Sequence, residues 1–171
     1  MEKIILGIDP GLRITGFSVL KLTCGQPTAL DIGYLQLGNI KEISDRLIEF
    51  EKFLMHKIME HKISDLCIET PFLGKNAQTF LKLGFLRGIL LLTAKKQNLI
   101  LHEFAPTTVK QAVTGSGRAD KEQVARAVFS LFTQLKSFNK TTVLDVTDAL
   151  AVGLCGVFSL DALAKNAQLK L

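Results

Sequence analysis

The sequence predicts an α/β fold: a five-stranded mixed sheet with helices on both faces. Three successive strand patterns in the first part of the chain predict an antiparallel meander. A helical apolar period then alternates with two short strand patterns, which is typical of parallel strands joined by crossover helices. We expect a single domain over residues 1–171, with a short C-terminal tail over about residues 159–171.

The predicted central strand covers residues 3–8 and ends at Asp9. Its apolar run stops at the turn residues Pro10 and Gly11, as expected for a strand buried on both faces. The Asp9 carboxylate should therefore lie at the mouth of the core. An unpaired carboxylate there costs free energy, so Asp9 needs a cation or hydrogen-bond donors. The alternative is an Asp that only stabilises the following turn.

The remaining elements follow in order along the chain. Further strands are predicted over residues 14–22, 28–37, 65–69 and 99–104, and helices over residues 43–58, 75–97 and 145–158, with short helices after Pro106 and Asp120. The first strand should lie between the second and the fourth, so Asp9 and Glu69 should end neighbouring parallel strands. Gly84 and Gly88 are expected to permit close approach of another backbone, either in this chain or in a dimer.

Asp145 and Asp148 lie three residues apart at the predicted start of an almost wholly apolar helix. They could be helix caps. However, an apolar helix packs flat on the sheet, and its first turn would then lie near the edge where Asp9 and Glu69 end their strands. Converging carboxylates repel one another without cations, and their oxygen atoms suit Mg²⁺ or Mn²⁺. Two such ions are a known arrangement for phosphodiester cleavage.

Composition limits the class of protein. A formal charge of +5 and a pI of about 9.2 make a polyanion a plausible partner. No uninterrupted apolar stretch of membrane-spanning length and no signal-peptide pattern is evident, which predicts a cytoplasmic protein without a membrane partner. Cys24, Cys67 and Cys155 lack metal-ligand spacing and are expected to be reduced thiols, and the scattered histidines do not predict a metal site.

Four segments together resemble the motifs of the RuvC family of bacterial Holliday junction resolvases. They are residues 7–16, the Glu69-Thr70-Pro71-Phe72 stretch with Asn76, the basic segment from Val109 to Lys121, and residues 145–151. Their order and spacing match along residues 3–158. Each motif alone is weak, but the combination is very specific.

This resemblance implies a ribonuclease H-like fold and a homodimer that works with the RuvA–RuvB branch-migration complex. It implies a Mg²⁺-dependent endonuclease that nicks two strands of a four-way DNA junction symmetrically during recombination and repair. The matching catalytic and metal-binding positions are Asp9, Glu69, Asp145 and Asp148. Two Mg²⁺ ions per active site are expected, with Mn²⁺ able to substitute.

Four residues are expected to contact DNA. Phe72 follows a strand that ends in a carboxylate, so its ring could stack on an unpaired base at the junction; the alternative is a lid over the core. Lys110, Arg118 and Lys121 are expected to contact backbone phosphates, although each alone could be a solvated charge.

Three other classes of protein remain open at this stage. An ATP-binding fold of the actin and sugar-kinase type would need about twice this length and a second similar domain. A non-catalytic junction-binding protein would gain nothing from four carboxylates facing DNA. A ribonuclease H-like nuclease that acts on RNA differs only in its substrate.

Overall fold

The computed structural model of the chain describes residues 3–23, 26–71, 76–132, 135, 137 and 142–168. The strands are β1 (Ile4–Asp9), β2 (Ile14–Thr23), β3 (Gln26–Gln36), β4 (Asp65–Glu69) and β5 (Ile100–Phe104). The helices are α1 (Ile43–His61), α2 (Ala77–Lys96), α3 (Pro106–Thr114), α4 (Lys121–Leu131) and α5 (Val143–Gln168).

The five strands form one mixed sheet in the order β3-β2-β1-β4-β5. The β1–β2 and β2–β3 pairs are antiparallel, whereas β1–β4 and β4–β5 are parallel. The predicted meander with added parallel strands, and the central place of β1, are confirmed. In the β1–β4 register Ile8 pairs with Ile68, so Asp9 and Glu69 follow side by side.

The core has two layers because successive strand residues point to opposite faces of the sheet. On one face Ile5 and Leu20 pack in a buried cluster with Leu150 and Leu154 of α5. On the other face the core contains buried side chains of the sheet, α1 and α2, among them Leu6, Ile8, Phe50, Leu54, Leu86 and Leu90. Helices therefore cover both faces, as the sequence predicts.

The backbone of helix α5 lies in direct contact with the backbone of the sheet. A Cβ atom added at Gly7 of β1 would lie 2.6 Å from the carbonyl oxygen of Ala149. A Cβ atom added at Gly16 of β2 would lie only 2.0 Å from the carbonyl oxygen of Asp145. Glycine at these two positions is thus what lets α5 pack so closely.

Gly84 and Gly88 of α2 do not pack closely against any residue that the structure describes. A Cβ atom added at either position would meet nothing within 4 Å. The expectation that they could pack tightly on their own sheet is therefore wrong. Buried Leu86 and Leu90 direct another side of α2 towards the core. The two glycines are therefore exposed, and Gly84 lines a cavity beside Asp9 and Glu69.

Helix α5 begins and ends beyond its predicted bounds. It begins at Val143, two residues before Asp145, and continues to Gln168 instead of ending at Phe158. The segment after Gly156 contains no Gly or Pro, and its alanines and leucines favour helix. Much of the predicted tail is therefore helical.

By length and composition alone, α2 and the Val143–Ala162 part of α5 could cross a membrane. Neither helix is an uninterrupted apolar stretch, because each contains scattered polar residues. The residues of α5 from Ala149 to Val157 are buried against the sheet and its neighbouring helices, as in the core helix of a soluble protein. Most of α2 is not buried in this way.

Candidate active site

The site forms where two parallel strands end. Asp9 and Glu69 are the last residues of β1 and β4, and the strand register places them next to each other. Pro10 and Pro71 follow closely and end the strands. The two carboxylates therefore lie at one edge of the sheet, as predicted.

The first two turns of α5 bring the other two carboxylates to this edge. Asp9 pairs with Gly16 across the β1–β2 ladder, and Gly16 in turn lies against the Asp145 backbone. Asp145 and Asp148 lie inside the helix, so neither is its N-cap residue. The interpretation of these residues as an N-cap pair is therefore wrong, because the helix begins earlier than the sequence pattern indicates. Asp145 still lies in the first turn, where its charge suits the helix dipole.

Asp9, Glu69 and Asp148 line a cavity of about 270 Å³ together with Lys110 and Lys121. Its remaining wall is largely apolar and comes from α3, α4 and α5: Pro106, Val109, Val124, Ala151 and Val152. Carboxylates and ammonium groups thus share a pocket with a water-excluding wall, in which electrostatic interactions are stronger than in bulk water.

The carboxylates perturb one another. Burial, followed by repulsion from Asp148, Glu69 and Asp145, raises the pKa of Asp9 to about 7. Burial and then repulsion from Asp148 also raise the pKa of Glu69. Asp9 thus combines burial with repulsion from three neighbouring carboxylates, a combination typical of a functional site.

Burial also raises the pKa values of Asp145 and Asp148, whereas Lys121 lowers both. The Lys121 Nζ atom lies 3.6 Å from a carboxylate oxygen of Asp148, but the lysine side chain is 85% exposed. An exposed ammonium compensates buried carboxylates only weakly. An all-oxygen donor set with excess negative charge fits hard divalent cations such as Mg²⁺.

A second group of possible metal ligands lies away from this edge. Ligand atoms of Asp31, Glu60 and His61 lie within 4.8 Å of one another. The Lys57 Nζ atom already lies 2.6 Å from Asp31 and 2.8 Å from Glu60. The lysine ammonium supplies the positive charge there, so this group is best described as an ion-pair cluster.

The predicted DNA-contact residues are only partly brought together. Lys110 and Lys121 line the carboxylate cavity. Arg118 is exposed on the loop between α3 and α4, where the Gln111 side chain holds the backbone of Gly115 and Gly117 through two 2.8 Å hydrogen bonds. Phe72 lies outside the described residues.

The sequence analysis missed one residue beside the site. Arg87 of α2 donates a hydrogen bond to the backbone carbonyl of Glu69 at 3.1 Å. It also lines, with Asp9 and Glu69, a second cavity of about 210 Å³. The helical pattern of the sequence places the polar residue Arg87 on α2, but it does not show that the side chain reaches the end of β4.

The mixed sheet, with carboxylates at the neighbouring ends of β1 and β4, defines a protein of the ribonuclease H-like class. Comparison with solved structures gives this fold directly. A Thermus thermophilus RuvC structure in complex with a Holliday junction substrate aligns with a TM-score of 0.81 at 22% identity, covering 92% of this chain and 94% of the other.

The family model for the crossover junction endodeoxyribonuclease RuvC matches residues 5–156. The RuvC of Pelodictyon phaeoclathratiforme is 39% identical, over 89% of this chain and 78% of its own length. The RuvC of Chlorobium phaeobacteroides is 40% identical, over 89% of this chain and 80% of its own length. The chain therefore belongs to the RuvC family of crossover junction endodeoxyribonucleases, whose members are metal-dependent nucleases.

Proposed function

We propose that this Holliday junction resolvase cuts DNA with divalent cations held by Asp9, Glu69, Asp145 and Asp148. One observation carries the proposal: these carboxylates converge at one sheet edge, where burial, followed by repulsion from the other three, raises the pKa of Asp9 to about 7. They do so in a chain with 21 basic and 16 acidic residues. A basic body that binds phosphates around an acidic pocket that binds metal suits a nuclease.

The four carboxylates would hold the cations, with Asp9 as the most central ligand because it interacts with the other three. Two Mg²⁺ ions held there would supply activation of the attacking water molecule and stabilisation of the leaving 3′ oxygen. Mn²⁺ has the same preference for oxygen ligands and is expected to substitute. The apolar wall formed by α3, α4 and α5 limits bulk water on one side of the cavity.

Lys110 and Lys121 are proposed to bind the phosphates that flank the scissile bond. Both side chains line the carboxylate cavity. Arg118 lies exposed on the neighbouring loop and would bind a phosphate farther along the duplex arm. For Phe72, stacking on an unpaired base stays a proposal from the sequence.

Symmetric nicking of two strands requires two active sites, so we propose that the chain works as a homodimer. Helix α2 offers a contact surface: Leu81, Phe85 and Leu92 are 62%, 43% and 52% exposed. Gly84 and Gly88 lie on the same helix with open space above them. An apolar, glycine-containing helix face suits close packing against the α2 helix of a second copy.

Two further proposals rest on the family resemblance. The RuvA–RuvB complex is the proposed partner that brings the dimer to junctions. The cytoplasm is the proposed location, because a resolvase must reach chromosomal junctions.

A synthetic four-way junction provides the direct test, with a matched linear duplex and a four-way RNA junction as comparison substrates. Symmetric nicks should appear in the DNA junction with Mg²⁺. No nicks should appear without metal, or with the variant Asp9→Asn. Junction binding without cutting, at every Mg²⁺ concentration, would favour the non-catalytic alternative. Preferential cutting of the RNA junction would favour the RNA alternative.

A further inference from the structure

Arg87 joins three elements at the end of the strand that carries Glu69. Its Nη1 atom donates a hydrogen bond to the backbone carbonyl oxygen of Glu69 at 3.1 Å. Its Nη2 atom donates to a carboxylate oxygen of Glu103 on β5. The arginine side chain is only 20% exposed. The guanidinium therefore connects α2, β4 and β5 at one largely enclosed point.

The Glu69 carbonyl lacks the donor that a regular sheet would supply. The amide N–H of the next residue, Thr70, points towards β5 and donates to the carbonyl of Phe104 at 2.8 Å. Since the peptide bond is trans, the Glu69 carbonyl points the other way, towards β1. The residue that continues β1 is Pro10, which has no N–H. Arg87 supplies the donor at the point where the ladder stops.

We propose that Arg87 is a positioning residue that fixes the Glu69 backbone and thereby holds the Glu69 carboxylate beside Asp9. This inference rests on the proposed role of Glu69 as a metal ligand. A strand end that pairs with β5 but lacks a ladder bond on its β1 side can move, and a displaced ligand weakens cation binding. Loss of such outer support typically costs about 10–100-fold in metal affinity or activity.

The contact with Glu103 separates this role from a direct DNA contact. The Glu103 carboxylate already neutralises the Arg87 guanidinium. Both terminal nitrogens of Arg87 donate hydrogen bonds within the chain. A residue that binds a phosphate would contribute to the salt dependence of junction binding. Arg87 should contribute to metal binding and leave the salt dependence unchanged.

The test compares Arg87→Ala and Arg87→Lys with wild type. Lys82→Ala is the matched control, because Lys82 is an exposed cation on the same helix. Mn²⁺ binding without DNA is measured from the electron paramagnetic resonance signal of the free ion. The Mg²⁺ dependence of cutting, junction binding in Ca²⁺ across a salt series, and the melting temperature complete the set.

Arg87→Ala should weaken Mn²⁺ binding by about 10-fold or more, and should raise the Mg²⁺ concentration for half-maximal cutting by a similar factor. Junction affinity and its salt dependence should match wild type. Arg87→Lys should give an intermediate result, because an ammonium keeps the charge but not the two-pronged geometry. Lys82→Ala should leave metal binding unchanged.

Wild-type Mn²⁺ affinity in Arg87→Ala would overturn the proposal, as would a reduced salt dependence of junction binding with metal affinity intact. Glu69→Gln separates this failure from that of the proposed function. If Glu69→Gln abolishes cutting while Arg87→Ala behaves as wild type, only the positioning role is wrong. If Glu69→Gln cuts at the wild-type rate, Glu69 is not a ligand. Should Arg87→Ala not fold, Arg87→Lys and Glu103→Gln decide the question by the same Mn²⁺ measurement.

Discussion

Gly16 of β2 lies in direct contact with the backbone of Asp145, since a Cβ atom at Gly16 would lie 2.0 Å from the Asp145 carbonyl oxygen. Gly16 is also the ladder partner of Asp9. Gly16 thus lets the helix that carries Asp145 and Asp148 lie directly against the strand that pairs with Asp9.

Gly16→Ala should push the first turn of α5 away from the sheet. Overpacking of this kind typically costs about 1–3 kcal/mol of folding free energy. We expect a lower melting temperature together with a strong loss of junction cutting, because two carboxylates move relative to the other two. Gly115→Ala is a useful control for strain alone, since Gly115 has a positive φ of 78° but open space around it. If Gly16→Ala has wild-type stability and cutting, the close packing is not required.

The metal-free protein should lose stability as the pH rises towards neutrality. Asp9 has a pKa of about 7 in the folded state against an ordinary value of 3.8. Between about pH 4 and pH 7 the folded state therefore binds more protons than the unfolded state, and the free energy of unfolding falls by at most roughly 1.4 kcal/mol per pH unit. Asp9→Asn should flatten this slope and abolish cutting. Denaturant unfolding of both proteins across this pH range, in a chelator, measures the difference.

At limiting Mg²⁺, junction cutting should rise with pH and level off above about pH 7, because cation binding requires the ionised Asp9 carboxylate. Saturating Mg²⁺ should shift this profile to lower pH. The rate of the cutting step in single-turnover assays provides the measurement. A profile that does not respond to metal concentration would argue against Asp9 as a ligand.

Asp148→Ala should leave the metal-free protein as stable as wild type or more stable. Asp148 is not the N-cap of α5, so the loss of about 1 kcal/mol that follows removal of a cap is not expected. The substitution also removes negative charge that raises the pKa values of Asp9 and Glu69. Thermal melts in a chelator and junction cutting test both effects. Clear destabilisation with normal cutting would indicate a structural role.

Lys121→Ala should weaken junction binding and reduce its salt dependence by about one phosphate contact. Because Lys121 lowers the pKa values of the four carboxylates, its removal should also move the pH profile of cutting to higher pH. Lys52→Ala, a change at an exposed lysine of α1, controls for net charge. Unchanged salt dependence in Lys121→Ala would exclude the phosphate contact.

Phe85→Glu should convert the proposed homodimer to monomers with little loss of folding stability, because the ring is already 43% exposed. Ile48→Glu, at an exposed apolar position on α1, should leave the oligomeric state unchanged. Sedimentation velocity measures both variants. If Phe85→Glu sediments as a dimer, as the wild-type protein is expected to, the dimer contact lies elsewhere on the chain.

The sequence by itself determined the order of the elements, the central place of β1 and the pairing of Asp9 with Glu69. Such features depend on local signals: a period of two or 3.6 residues, and Pro or Gly where a strand must stop. The short helix after Asp120 is equally local, because Asp120 and Gln123 form a capping box at its start. The motif spacing carried the family assignment, since it joins four weak signals in one order.

Only the tertiary structure decided what packs against each element. It showed that α5 begins before Asp145, that α2 turns its glycines outward and that Arg87 reaches the Glu69 carbonyl. The high pKa of Asp9 likewise comes from burial and from residues distant in sequence. A periodic pattern shows which face of a helix is apolar, but not what covers that face. Contacts between residues far apart in the chain depend on how the elements pack together.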